Sequence, residues 1–165
     1  MRILMDTTYL LPVIGISVKG IPRDVLIRLI KWGNSIFISE ISLFELSAKG
    51  AKHIAAGRLP AKRVSRGISA IVHDETIETI PIYETKVLLT AFKIRRLIPD
   101  FIDCLILSSA MNRCEVLITE DSDIQNLKED KEFKEILATI NPNFQIETIN
   151  QALRTRGKAC ISEDH

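Results

Sequence analysis

Apolar residues recur along the chain in two alternating rhythms. Short runs of consecutive apolar or β-branched residues predict strands at residues 2–5, 35–38, 76–82 and 115–119, with 144–148 as a fifth. Between them, apolar residues three and four apart predict helices. One runs from Pro22 to near Gly33 through Val25, Leu26, Leu29 and Ile30, and one from residues 39–42 to near Gly50. Others run from Pro60 through Ile68 and Val72, over residues 83–97, from Ile102 to about Asn112, and, highly charged, over 122–137. Pro22 and Pro60 stand at helix starts, where a missing N–H costs nothing. Asp6-Thr7-Thr8 carries residue types that cap a helix, and Pro99-Asp100 breaks the chain before the next one. Strands separated by helices argue for an α/β protein with a parallel sheet covered on both faces. No repeat, low-complexity segment or linker interrupts the 165 residues. A single domain over residues 1–150 is expected, followed over 151–165 by a C-terminal helix and a polar tail that frays from Lys158.

Composition narrows the function classes. Hydrophobic residues at 46% and charged residues at 26% suit a globular domain and argue against disorder. The longest apolar runs, such as residues 104–107, are far short of a membrane span. The N-terminus runs straight into Met1-Arg2-Ile3-Leu4-Met5-Asp6, without the apolar core and small-residue cleavage site of a secretory signal. Cys104, Cys114 and Cys160 form no CxxC pair and leave an odd count, so neither a disulfide framework nor a zinc site is indicated, and a cytoplasmic location is expected. Cys104 and Cys114 read as packing residues. The net charge of +1 excludes a globally basic nucleic-acid binder and leaves room for a local basic patch.

Parallel sheets bind ligands beyond the carboxyl ends of their strands. Asp6 follows the first strand, and Glu45 comes one turn into the helix after the second. Asp103 opens the apolar helix before the fourth, and Glu120, Asp121 and Asp123 follow that strand. Each acid also has a structural explanation. Asp6, Asp100 or Asp103, and Asp121 or Asp123 suit N-caps, and Ser42-x-x-Glu45 fits a capping box. Two features favour chemistry. Asp6 ends a strand that should be buried, and Asp103 precedes Cys-Leu-Ile-Leu with little polar company. A lone buried carboxylate is costly unless paired or bound to metal, and converging carboxylates repel unless a cation holds them. The candidate donors are all oxygens, and His53, His73 and His165 lie elsewhere without ligand spacing, which favours Mg²⁺ or Mn²⁺ over zinc. Phosphodiester hydrolysis is the natural chemistry of such a site.

Four strings taken in order resemble the acidic blocks of PIN domains. They are Ile3-Leu4-Met5-Asp6-Thr7-Thr8, Ile41-Ser42-Leu43-Phe44-Glu45-Leu46, Asp103-Cys104-Leu105-Ile106-Leu107-Ser108-Ser109-Ala110 and Leu117-Ile118-Thr119-Glu120-Asp121-Ser122-Asp123. Their order and spacing are similar to the stand-alone ribonucleases of the VapC toxin type, over about residues 2–149. The resemblance implies a three-layer α/β/α sandwich with a five-stranded parallel sheet. It also implies a Mg²⁺- or Mn²⁺-dependent endoribonuclease, often a homodimer, that leaves a 3′-hydroxyl and a 5′-phosphate. Carried over by position, Asp6, Glu45, Asp103 and Asp121 are the catalytic acids. Asp6, Asp103 and Asp121 bind metal with Asp123 as an auxiliary, and Thr7 and Thr119 are supporting hydroxyls. The chain departs from the pattern at Ile124, where a Phe is frequent, in the extra acids Glu120 and Asp100, and in a longer region over residues 50–74. A ribosome-maturation or other RNA-processing nuclease shares this chemistry, and a non-catalytic binding module shares the fold. A haloacid-dehalogenase-type phosphatase fits less well, because Thr8 stands where its second Asp would be.

Residues 46–73 contain no acid but carry Lys49, Lys52, Arg58, Lys62, Arg63 and Arg66, a candidate RNA-binding face, and Lys93, Arg95 and Arg96 form a second cluster. A solvated helix face is the alternative. Aromatic residues, at 5%, do not suggest a base-stacking platform. The resemblance also implies that the helices around Pro60 form a groove for an antitoxin segment. Ile54, Leu59, Val64, Ile68 and Ile71 suit that groove, a homodimer interface or plain core packing.

Overall fold

The computed structural model describes residues 1–161 of the chain, with side chains through Thr155; the end of the tail expected to fray, residues 162–165, lies outside the described residues. Five strands form one sheet: β1 (Arg2–Met5), β2 (Ser35–Ser39), β3 (Ile77–Ile80), β4 (Val116–Ile118) and β5 (Gln145–Glu147). Their order is β3-β2-β1-β4-β5, and every pairing is parallel. The α/β class and the five strands match the expectation; β1 keeps its bounds, β2 is one residue longer, and β3, β4 and β5 are two or three residues shorter.

The apolar runs are continuous because both faces of the sheet are covered. Successive side chains point to opposite faces. Ile3 and Met5 therefore share one face with Ile36, Val116 and Ile118, while Leu4 shares the other with Phe37, Leu117 and Ile146. The register sets Ile3 against Ile36 and Val116, and Leu4 against Phe37 and Leu117, so like layers meet across three strands. Helices α4 (Thr85–Ile94), α5 (Phe101–Arg113) and α7 (Lys131–Ile140) cover the Leu4 face. Helices α1 (Val25–Lys31) and α8 (Ile149–Ile161) cover the Ile3 face. A third cluster joins α2 (Glu40–Ala55) and α3 (Ala61–Val72) to Leu10, Leu11, Ile14 and Ile38. In α5 all eight residues from Cys104 to Met111 are buried. A helix apolar all round belongs inside, and α5 lies against both the sheet and α4. Cys104 and Cys114 are free thiols buried in this layer.

Two local readings change. The charged helix expected over residues 122–137 is two helices, α6 (Ser122–Asn126) and α7, separated by a 3-10 turn. Asp130 ends the first segment and caps the second by accepting from Phe133 N at 2.8 Å. After Asp6 the chain makes two 3-10 turns, Thr7–Tyr9 and Leu11–Ile14, in place of the start of a longer helix. Among the described residues no helix is long and apolar enough to cross a membrane.

Helix α3 approaches its neighbours through glycines. A β-carbon on Gly67 would lie 2.6 Å from the carbonyl oxygen of Val13 and 2.8 Å from Ile14 Cα. One on Gly50 of α2 would meet the Val64 methyls instead. Backbone cannot yield as a side chain can. We therefore expect Gly67→Ala to destabilise by about 1–3 kcal/mol in chemical denaturation, despite the better helix propensity of alanine. Gly50→Ala should cost less; the reverse order would refute this account of the packing.

Candidate active site

Strand β1 pairs with β2 on one side and β4 on the other, so chain order reverses between β1 and β4, and a crevice opens at their carboxyl ends. A cleft of about 290 Å³ lies there, lined by Asp6, Thr8, Glu45, Lys49, Asp103, Glu120 and Asp121. The fold thus brings together all four principal acids from four separate stretches of chain. A larger cavity of about 480 Å³ opens between α7, β5 and α8, but its walls are mainly Phe133, Leu137, Phe144 and Ile146 and carry no cluster of acids.

Each acid is held by identifiable contacts. Asp6 N donates to Ile118 O at 3.1 Å, extending the β1–β4 pairing by one step and fixing where the Asp6 side chain begins. Its Oδ2 accepts from the buried Thr119 hydroxyl at 2.6 Å. That hydroxyl in turn accepts from Asp121 N at 3.0 Å, so one threonine ties the acids after β1 and β4 together. Asp121 Oδ1 caps α6 by accepting from Ile124 N at 2.9 Å. Thr7 Oγ1 donates to Glu45 Oε2 at 2.5 Å, and Lys49 Nζ stands 3.8 Å from Glu45 Oε1. Asp103 lies in the first turn of α5, while Asp100 is the residue that caps that helix, accepting from Ile102 N at 2.8 Å.

These contacts decide between the two readings of each acid. Asp6 makes no cap bond to the turn that follows it. The capping box does not form, because Ser42 lies inside α2 with its buried hydroxyl unpartnered and Glu45 bonds Thr7 instead. Asp103 is relieved of capping by Asp100. Only Asp121 is both cap and cleft acid. Asp123 is exposed on α6 and is not among the residues lining the cleft. Of the six basic candidates Lys49 alone lines it; Lys52, Arg58, Lys62, Arg63 and Arg66 are exposed on α2, α3 and the turn between them.

The sequence places Glu120 after the fourth strand as an extra acid without a partner. Its Oε1 accepts from the Tyr9 phenol at 2.7 Å and from Ile149 N at 3.0 Å, joining the cleft to the first residue of α8. The available signal was Tyr9 itself, since a phenol inside an apolar stretch needs a hydrogen-bond partner when buried. Burial, reinforced by Glu120, holds the Tyr9 hydroxyl well above its ordinary pKa. Thr8, read from the sequence only as part of a helix cap and as a departure from a phosphatase pattern, also lines the cleft.

The cleft is electrostatically strained. Burial pushes the Asp103 carboxyl up to about 7, with further upward pressure from Asp121, Asp100, Asp6 and Glu45. Asp6, 8% exposed, is also raised, chiefly by burial and then by Glu45, with the Thr119 hydrogen bond opposing. Such a set calls for a cation. No histidine or cysteine lines the cleft, so its donors are hard oxygens, which fit Mg²⁺ or Mn²⁺. Among the described residues no three acidic, imidazole or thiol groups stand close enough to enclose an ion by themselves. Mg²⁺ does not require that, since it commonly takes one or two carboxylates and keeps several waters.

Between α2 and α3 an apolar groove of about 320 Å³ is lined by Ile54, Val64 and Ile68 with Ala51 and Ala61. Of the other residues considered for it, Ile71 is buried in the third cluster and Leu59 packs against that cluster.

The PIN domain family matches this chain over residues 3–130. No curated protein sequence matches it. The solved structures similar in fold include "Crystal structure of VapBC2 from Rickettsia felis bound to a DNA fragment from their promoter". The match has a TM-score of 0.56 and 21% identity, covering 90% of this chain and 98% of that one. A second, the DNA-bound VapBC of Salmonella typhimurium, gives a TM-score of 0.52 and 20% identity with the same coverage.

A carboxyl raised on folding favours the folded state most when protonated. The stabilisation from Asp103 is complete below its unfolded pKa near 3.8 and is lost as pH rises through about 7. The metal-free protein should therefore melt at lower temperature as pH rises across that interval. Asp103→Asn should flatten the dependence and raise the melting temperature above pH about 7; an unchanged slope in calorimetry would count against the placement of this acid.

Proposed function

We propose that this chain, which belongs to the PIN domain family, is a cytoplasmic Mg²⁺- or Mn²⁺-dependent endoribonuclease and the toxin of a toxin–antitoxin pair. The observation that carries the reading is the convergence of Asp6, Glu45, Asp103 and Asp121 in one cleft, with the Asp103 carboxyl raised by burial and by its neighbours. One or two of Asp6, Asp103 and Asp121 would hold the ion directly, with its retained waters reaching the rest, and Asp123 adds negative charge in the first turn of α6. When bound, the cation acidifies water and neutralises charge building on the scissile phosphate. Thr119 and Thr7 fix the rotamers of Asp6 and Glu45, so the acids are oriented before substrate arrives. Glu45 completes the negative wall on the α2 side. Cleavage leaves a 3′-hydroxyl and a 5′-phosphate.

Lys49 contacts substrate phosphate at the cleft, and Lys52, Arg58, Lys62, Arg63 and Arg66 extend the electrostatic footprint along α2 and α3. The two similar structures named above are VapBC assemblies, and the α2–α3 groove supports an antitoxin segment as its occupant. A homodimer accounts for the exposed apolar side chains Phe44 (65%), Leu89, Phe92 (60%) and Phe101, of which Phe92 and Phe101 stack at 5.9 Å between ring centroids.

A mixed panel of structured and single-stranded RNAs, incubated with Mg²⁺, Mn²⁺ or chelator, tests the reading. Wild type should cut with either ion and not with chelator. Asp6→Asn and Asp103→Asn should each lower the rate at least about 100-fold, as loss of a group supporting transition-state charge does elsewhere. A folded wild type that neither cuts any RNA nor binds Mn²⁺ would leave a binding module in its place.

A further inference from the structure

The oxygens in the cleft fall into two groups. On one side, Asp103 accepts no hydrogen bond among the described residues, Asp6 accepts from the Thr119 hydroxyl through Oδ2 and is also favoured by the Thr7 backbone N–H, and Asp121 commits one oxygen to Ile124 N. On the other, Glu45 has both oxygens engaged, Oε2 by Thr7 and Oε1 by the Lys49 ammonium at 3.8 Å. A divalent ion takes the side with uncommitted oxygens. In two-metal phosphodiesterases the second ion stands about 3.5–4 Å from the first. Here it would need Glu45 as its other anchor and would meet an ammonium there. The positive charge of Lys49 also reaches Asp6, where it opposes the effect of burial. Lys49 is one helical turn beyond Glu45 and half-exposed, and such a pair adds little to stability. Its position is better explained by what it does to charge in the cleft than by support of α2.

We propose that Lys49 is a built-in cation of this site. Its ammonium holds the second cation position, so the cleft takes up a single divalent ion, and it meets the phosphate that a second ion would otherwise contact. The proposal rests on the nuclease reading above and specifies how that site is charged. The remaining basic residues of α2 and α3 do not line the cleft and take no part in this.

Counting bound Mn²⁺ on the full chain tests it without reference to activity, using the electron paramagnetic resonance signal of the free ion at fixed neutral pH. Wild type and Lys49→Arg should bind one ion. Lys49→Ala, or Lys49→Gln should the alanine variant fail to fold, should gain a second, tightened about ten-fold or more by loss of the repelling charge. Asp103→Asn should lose the first ion, while Glu45→Gln should leave it within about three-fold, an effect smaller than loss of a charged partner. Two ions on wild type would overturn the proposal. So would one ion on wild type and on both neutral variants, and RNA cutting by wild type would then leave the nuclease reading standing. No Mn²⁺ on wild type would overturn both.

Discussion

Several carboxylates occupy a small, partly buried space, and the structure depends on what keeps them there. Isolated charges in such a place are costly, and like charges this near raise one another's pKa. The protein meets the cost locally with hydroxyls and amides, namely Thr119 on Asp6, Thr7 on Glu45 and Ile124 N on Asp121. Among the described residues Asp103 has no such relief, and its carboxyl is pushed up to about 7. The cleft is thus least comfortable at the one acid that the protein leaves free.

The fold explains why this arrangement is possible at all. β1 is the middle strand of the sheet, and its last residue hands the chain to Asp6 where β4 also ends. α5 is buried from Cys104 to Met111, which anchors the helix immediately after Asp103 and holds that acid at the cleft. α2 leaves β2 directly, which brings Glu45 round to face Thr7. Four stretches of chain meet because the parallel sheet ends all its strands on one side.

Much of this was legible in the sequence because it depends on local chemistry. A fully apolar run such as Ile3-Leu4-Met5 followed by Asp marks a buried strand with a charge at its end. The class and the number of strands were legible from the alternation of apolar runs, whereas Glu45, Asp103 and Asp121 stood out only through the order of the four acidic strings. What was illegible depends on long-range contact. Whether Asp100 or Asp103 caps α5 is settled by the register of one helix turn. The partnership of Glu120 with Tyr9 and Ile149 spans more than a hundred residues on one side and 29 on the other. The basic face looked uniform because charge along a chain does not reveal direction, and only Lys49 turns toward the acids. The break at Asp130 was hidden by a charged pattern that fits one long helix as well as two short ones.

The two outer strands have a further consequence for the life of the molecule. β5 is three residues long, Gln-Ile-Glu, and β3 carries Glu78, whose carboxylate pairs with Arg113 at 3.0 Å. A parallel sheet this apolar at its centre would be a template for stray chains if its margins were long and uncharged. Here the stickiest sequence, in β1 and β4, is sealed between neighbours, and a newcomer at either margin finds a short strand or an occupied carboxylate. Margins of this kind disfavour growth of the sheet from one molecule into the next.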